Sequence, residues 1–321
     1  MRDDIVRWLL EDADPSLEYQ TRRDLVGQPA VELSALRRDI GSRGWTRALL
    51  DRRGPDGHWG NGAYNPKWTC THYVLYELAQ LELPPGDPRC AESARLLLSY
   101  PRGRDGGVNY AKTVDYSDVC VNGMLLGIAA RFIVGDGGAG ARTPDEAAID
   151  DLVDYLLSKR MDDGGWNCAY YQGGTRSSLH TTIAVVEGLL SFIDSGRSHR
   201  ATEVRSAVGS AVEFILRHRL CRSERTGEVI ADEFFKFPFP VRWKYDILRC
   251  LDLFRRHGIP YDPGMDEALD RLATARGRDG RWKAASQAGA TYLVVEANGK
   301  PGKWNTLRAL RVLERYGRAG T

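Results

Sequence analysis

Asp163-Gly164-Gly165-Trp166 is one copy of a recurring turn. The others are Asp56-Gly57-His58-Trp59, Asp105-Gly106-Gly107-Val108 and Asp279-Gly280-Arg281-Trp282, with a weaker copy at Thr226-Gly227-Glu228-Val229. Self-similarity at a near-constant period marks a repeat architecture. The glycine in second place suits a tight turn at positive φ, where a Cβ is disfavoured. Each copy leads into a polar, aromatic loop and then an apolar run. These runs are Tyr73-Val74-Leu75-Leu78, Met124-Leu125-Leu126-Ile128, Val185-Val186-Leu189-Leu190, Ile247-Leu248-Leu251-Leu253 and Leu307-Leu310-Val312-Leu313, all with helical spacing.

Between them lie amphipathic stretches rich in Ala, Leu, Glu and Arg, at 33–51, 89–99, 144–160, 200–219 and 265–276. Pro144, after Arg142-Thr143, suits a helix start. Five loop-plus-two-helix units follow. A sixth inner helix is expected at Tyr19-Gln20-Thr21-Arg22-Arg23-Asp24-Leu25, which matches Trp304-Asn305-Thr306-Leu307-Arg308-Ala309-Leu310. On this reading Tyr19, Cys70, Cys120, His180, Lys244 and Trp304 are equivalent positions. Inner helices are expected to start near Trp68, Asp118, Ser178, Arg242 and Lys303. The expected fold is all-α: an (α/α)6 toroid of inner and outer helices around a central cavity, one domain over 1–321, with 135–140 as an exposed loop.

Composition narrows the function. The chain has 321 residues, 42% of them apolar, and a net charge of +2 with both signs mixed along it, so no nucleic-acid surface or basic membrane anchor is expected. No apolar run reaches the roughly 20 residues of a membrane span. Met1-Arg2-Asp3-Asp4-Ile5 does not read as a signal peptide. The six cysteines are scattered without a CxxC and read as reduced thiols, so a cytoplasmic location is expected.

The chemistry is concentrated in Ser117-Asp118-Val119-Cys120-Val121-Asn122-Gly123 and, about 60 residues on, Ser178-Leu179-His180-Thr181-Thr182. Carboxylate, thiol and imidazole make a ligand set for zinc with one position open, which names Asp118, Cys120 and His180 as metal ligands. Taken singly, Cys120 is a small hydrophobe, Asp118 an N-cap and His180 a capping histidine. Cys70 reads as a fourth ligand, a nucleophile or cavity lining. Tyr170, Tyr245 and Trp304 are candidates to line an apolar cavity. Trp59, Trp166 and Trp282 read instead as braces between turn and outer helix. Phe234-Phe235-Lys236-Phe237-Pro238-Phe239-Pro240-Val241-Arg242-Trp243-Lys244 delivers three cations, Lys236, Arg242 and Lys244, as candidates for an anion such as a diphosphate.

The Asp-Gly-x-Trp turns before inner helices resemble the repeats of the squalene-cyclase and protein-prenyltransferase β-subunit superfamily, over nearly the whole chain. The resemblance implies an α/α toroid more firmly than any one activity. Class II cyclases of that superfamily carry D-x-D-D with a proton-donating middle Asp. The matching stretch here is Asp115-Tyr116-Ser117-Asp118, and a serine hydroxyl is too weak an acid for that task. Protein prenyltransferases hold zinc with D-x-C and a His one helix later, which Asp118, Cys120 and His180-Thr181 match in type and order. Lys112 stands where a diphosphate-binding cation is expected. Asp115 replaces the second cation and Val121 the expected Tyr. The resemblance implies a prenyltransferase-like transferase acting on an isoprenoid diphosphate or other apolar substrate with an anionic head, with Cys70 and Asp115 as catalytic candidates and no partner subunit. The alternatives are a zinc enzyme for a non-isoprenoid substrate and a non-catalytic toroid that binds lipid or protein.

Overall fold

The computed structural model describes residues 2–134, 143–286 and 288–317; the loop expected at 135–140 lies outside them. The described chain is helical, with only isolated bridges such as Arg102 to Val108 in place of strands. The helices are α1 (Arg2–Leu10), α2 (Pro15–Thr21), α3 (Ser34–Asp39), α4 (Gly44–Leu50), α5 (Thr71–Gln80), α6 (Pro88–Leu98), α7 (Val119–Phe132), α8 (Pro144–Ser158), α9 (Leu179–Asp194), α10 (Ala201–Arg217), α11 (Ile247–Arg256), α12 (Asp266–Thr274) and α13 (Lys303–Arg315). The expected inner starts fall within one residue of α7, α9 and α13. At α11 the start is later, because Asp246 is the N-cap and its carboxylate accepts from the Arg249 amide at 2.8 Å. The expected run at 33–51 is two helices, broken at Gly44, whose φ of +72° is left-handed. No described helix is long and apolar enough to cross a membrane.

The repeated turn is built the same way each time. The amide four residues before the last turn residue donates to it: Gly54 to the His58 carbonyl at 2.7 Å, Gly103 to Gly107 at 2.8 Å, Met161 to Gly165 at 2.9 Å and Gly277 to Arg281 at 2.8 Å. The residue that follows then donates its amide to a side chain in the next helix's first turn. Trp59 donates to Thr71 Oγ1, Trp166 to Thr182 Oγ1 and Trp282 to Thr306 Oγ1, each at 3.0 Å, and Val108 to Asn122 Oδ1 at 2.8 Å. A short hydrogen-bonding side chain is required there because the amide is buried and would otherwise lose its partner. The turn tryptophans are braces, as expected: Trp166 Nε1 donates to the Leu156 carbonyl at 2.7 Å and Trp282 Nε1 to Leu272 at 2.8 Å, at the ends of α8 and α12.

Two compact units partition the chain. Unit 1 comprises Met1–Arg52, Gln80–Pro84 and Leu216–Thr321; unit 2 comprises Arg53–Ala79 and Pro85–Ile215. In unit 2, α7 and α9 run side by side and parallel. Gly123 meets Ala184 and Gly188, and Gly127 meets Gly188 and Ser191, so that both helices advance together. A Cβ on Gly188 would sit 2.1 Å from the Gly123 carbonyl oxygen, so the backbones touch there and only glycine fits.

Unit 1 encloses ion pairs that the hydrophobic pattern alone does not announce. Arg311 on α13 pairs with Asp252 on α11 and, at 2.8 Å, with Asp24; Arg255 lies 3.0 Å from Asp252. Burial pushes the Asp252 carboxyl up, but Arg311, Arg255 and Arg308 outweigh it and hold the group well below the usual carboxylate range. Arg23 binds Glu82 at 2.6 Å and also Asp24. Removing one charge from such a set leaves its partners buried and uncompensated.

Candidate functional site

Cys120 and His180 occupy the second position of α7 and α9, and Trp304 the second position of α13. Counting back from the side chain that takes the turn amide gives the same register: Asn122, Thr182 and Thr306 are each two residues on. Three of the expected equivalences therefore share one register. The same count from Thr71 arrives at Thr69 and not Cys70. Cys70 is one residue further and wholly buried, near Tyr110, whose pKa is raised first by its own burial and then by Cys70.

The thiol of Cys120 is engaged with a cysteine that the sequence reading passed over. Cys168 opens a short 3-10 turn, Cys168–Gln172, in the loop after Trp166. The Cys120 amide, in the first turn of α7, donates to Cys168 Sγ at 3.4 Å. Thr181 Oγ1, from the first turn of α9, donates to the same sulfur at 3.5 Å. These donors favour a thiolate at Cys168 and lower its pKa, with the Cys120 hydrogen bond first among them. Cys120 moves the opposite way, well up, through its interaction with Cys168 and its own desolvation.

Asp118 stands just before α7, its surface open to solvent. The surrounding protein desolvates its carboxyl and raises the pKa; Lys67 opposes the shift. Among the described residues no three His, Cys, Asp or Glu side chains are grouped so as to hold a metal ion. Zinc stays an expectation from the ligand types at Asp118, Cys120 and His180, and the chemistry below is derived without a metal.

An aromatic cluster adjoins this pair. The Tyr64 ring stacks on Tyr110 at 5.6 Å between centroids and meets His72 at 5.5 Å and Tyr73 at 5.4 Å. Tyr100 meets Tyr110 edge-on at 5.2 Å, and Trp68 meets Tyr73 at 4.7 Å. The Tyr64 phenol feels both Cys120 and Asp118, although its own burial is the larger reason that its pKa is raised. His72 is fully buried, and among the described residues neither ring nitrogen has a hydrogen-bond partner, nor has the Tyr110 hydroxyl. Desolvation pushes the His72 imidazole down to about 3, so it is neutral. Orphaned buried polar atoms cost roughly 1–3 kcal/mol each and call for a functional or solvent partner.

The remaining candidates divide between the units. In unit 2, Lys112 and Asp115 are exposed on the loop that precedes α7; the Asp115 backbone carbonyl accepts from the Arg104 amide at 2.7 Å. Tyr170 donates its hydroxyl to Asp105, the turn carboxylate, which also accepts from Tyr155 at 2.9 Å and from Ser117 Oγ at 3.0 Å. Ser117 thus anchors the turn. The Ser177–Asp163 pair repeats the device one unit later. In unit 1, Tyr245 is buried with its hydroxyl on the Leu220 carbonyl at 2.7 Å, and Trp304 is buried, stacked at 4.3 Å on Phe239. Arg242 is buried, and Arg249 Nη1 donates to the Arg242 and Lys244 carbonyls at 2.9 and 2.7 Å. Lys236 and Lys244 are exposed, the latter with its ammonium over the Trp243 ring.

No protein-family model matches the chain, and no curated protein matches it significantly.

Proposed function

We propose that this chain is a prenyltransferase- and terpene-cyclase-like α/α toroid that transfers an isoprenoid or similar apolar group from an anionic head to a thiol. The observation that carries the reading is the unpartnered His72 and Tyr110 within an aromatic cluster beside the Asp118–Cys120–Cys168 group. Ring faces and an apolar wall suit an isoprenoid tail and the positive charge that develops when an allylic C–O bond loosens. The adjacent N-termini of α7 and α9, helices of 14 and 16 residues, carry partial positive charge suited to the departing anion. Parallel neighbouring helices joined through α8, with the same turn chemistry in each copy, support the toroid.

In this reading the C–O bond breaks, the electron pair leaves with the diphosphate, and a thiolate sulfur forms the new C–S bond. Cys70 is too deeply buried to take part as the structure stands, which leaves Cys120 and Cys168 to hold the external thiol acceptor and take its proton, the acceptor's own sulfur forming the C–S bond. Zinc belongs to the proposal only as a loaded form of the site. Elemental analysis of wild type and Cys120→Ala decides that question. The reading itself is tested by titrating the full chain with allylic diphosphates of increasing length. Saturable binding that tightens with chain length, and weakens in His72→Phe or Tyr64→Ala, supports it. Binding of inorganic diphosphate alone, with no gain from the tail, would favour the non-isoprenoid alternative.

A further inference from the structure

Cysteine is not demanded at either Cys120 or Cys168 by the repeat. The positions equivalent to Cys120 hold Thr69, His180 and Trp304, and the place two residues after the turn, where Cys168 stands, holds Asn61, Tyr110 and Ala284 in the other copies. Cys70, Cys90, Cys221 and Cys250 are wholly buried, whereas Cys120 and Cys168 are both partly open to solvent. These two come from segments 48 residues apart, and the Cys120 amide at the start of α7 donates to Cys168 Sγ at 3.4 Å. Their roles differ. Cys168 Sγ accepts from the Cys120 amide at 3.4 Å and the Thr181 hydroxyl at 3.5 Å, so negative charge on it is supported from two sides. Cys120 supplies one of those donors through its backbone.

We propose that Cys168 and Cys120 form a redox-active dithiol couple that reduces a hydroperoxide, with Cys168 as the attacking sulfur and Cys120 as the resolving one. The Cys168 sulfur attacks the distal peroxide oxygen. The O–O bond breaks, Cys168 becomes a sulfenic acid, and its thiol proton leaves with the departing oxygen as water, or as an alcohol from an organic hydroperoxide. The Cys120 sulfur then attacks the sulfenic sulfur. The S–O bond breaks, the Cys120 proton completes a second water, and a Cys120–Cys168 disulfide remains. Two electrons pass from two thiols to one peroxide. Closing the bond requires the sulfurs to approach to about 2 Å, a side-chain adjustment for two residues already joined through the Cys120 amide and Cys168 Sγ. A dithiol reductant restores the couple by exchange. This activity stands on the geometry of the pair and does not depend on the isoprenoid reading.

The test uses the full, reduced chain and hydrogen peroxide. After treatment with one equivalent, the protein is denatured, alkylated and mapped by mass spectrometry. The expected result is loss of two of the six thiols, a single Cys120–Cys168 cross-linked peptide, and full recovery with dithiothreitol. In Cys120→Ser, dimedone should label Cys168 as a trapped sulfenic acid. In Cys168→Ser, the cross-link should be absent and dimedone labelling of Cys120 at least tenfold lower at the same dose. Retention of all six thiols in treated wild type would overturn the proposal, with no variant needed. Scrambled cross-links among other cysteines would also overturn it. Dimedone labelling of Cys120 in preference to Cys168 would overturn the assignment of attacker and resolver.

Discussion

Gly188→Ala places one methyl group where α9 touches the backbone of α7. The new Cβ would lie 2.1 Å from the Gly123 carbonyl oxygen and 3.0 Å from its carbon. Neither neighbour is a side chain that can rotate away. The helices must part by about 1 Å to restore van der Waals distance, which loosens contacts along the pair. Overpacking of this kind costs about 3 kcal/mol, at the upper end of its usual range. Alanine returns about 1 kcal/mol through helix propensity. The net loss of about 2 kcal/mol should lower the thermal midpoint by roughly 3 °C for a chain of 321 residues, followed by circular dichroism at 222 nm. Gly209→Ala on α10 is the control, since a Cβ there meets nothing within 4 Å and the backbone is helical. That substitution should stabilise by about 0.4–1 kcal/mol. A Gly188→Ala protein as stable as Gly209→Ala would refute the backbone contact and the parallel packing built on it.

Other perturbations probe different parts of the account. His72→Phe should raise stability below pH 6.5: the folded imidazole, pushed down to about 3, stays neutral while the unfolded one takes a proton, so wild-type stability falls as pH drops through that window. At pH 5 the difference should be about 2 kcal/mol by denaturant titration, and a pH-independent difference would refute the burial of a neutral ring. Asp252→Ala should destabilise by about 3–5 kcal/mol, because Arg311 and its neighbours lose their buried counter-charge. Asp252 is held low in the fold, so its contribution is present above the unfolded carboxylate range and is lost on strong acidification; a variant matching wild type at pH 7 would contradict the ion-pair reading. Glu296, pushed up to about 7 chiefly by burial, accepts the Trp304 amide at the start of α13. Wild-type stability should fall as pH rises from the unfolded carboxyl range to about 7, and Glu296→Gln should flatten that decline in equilibrium unfolding measured across pH.

Much of the helical framework is legible because turn and helix carry separate signals. Glycine at positive φ and the apolar run after it located the starts of α7, α9 and α13 to within one residue but not those of α5 and α11, and Thr143-Pro144 with Glu146 forms the capping box that begins α8. The register was legible in part. Matching cysteine to cysteine aligned Cys70 with Cys120, whereas the buried turn amide aligns Thr71 with Asn122 and moves Cys70 one place along. Short polar side chains two residues beyond Cys120, His180 and Trp304 were the available signal. Cys168 carried no local signal, since its partner comes from another helix and no periodicity links them. Arg308 and Arg311 were detectable in principle: they share a face of α13 with Trp304 at helical spacing, which for a charged residue on an apolar face implies a buried counter-ion.

The transfer of an apolar group to a thiol is the central claim, and diphosphate release tests it most directly. The reduced full chain is incubated with allylic diphosphates of graded length and a small thiol acceptor, with and without added zinc, and inorganic diphosphate is measured against time. The account predicts catalytic release with formation of the thioether, and loss of at least tenfold in Cys168→Ala and Cys120→Ala while circular dichroism shows both variants folded. Absence of release across all chain lengths and both metal conditions, from protein that keeps its wild-type unfolding midpoint, would contradict it.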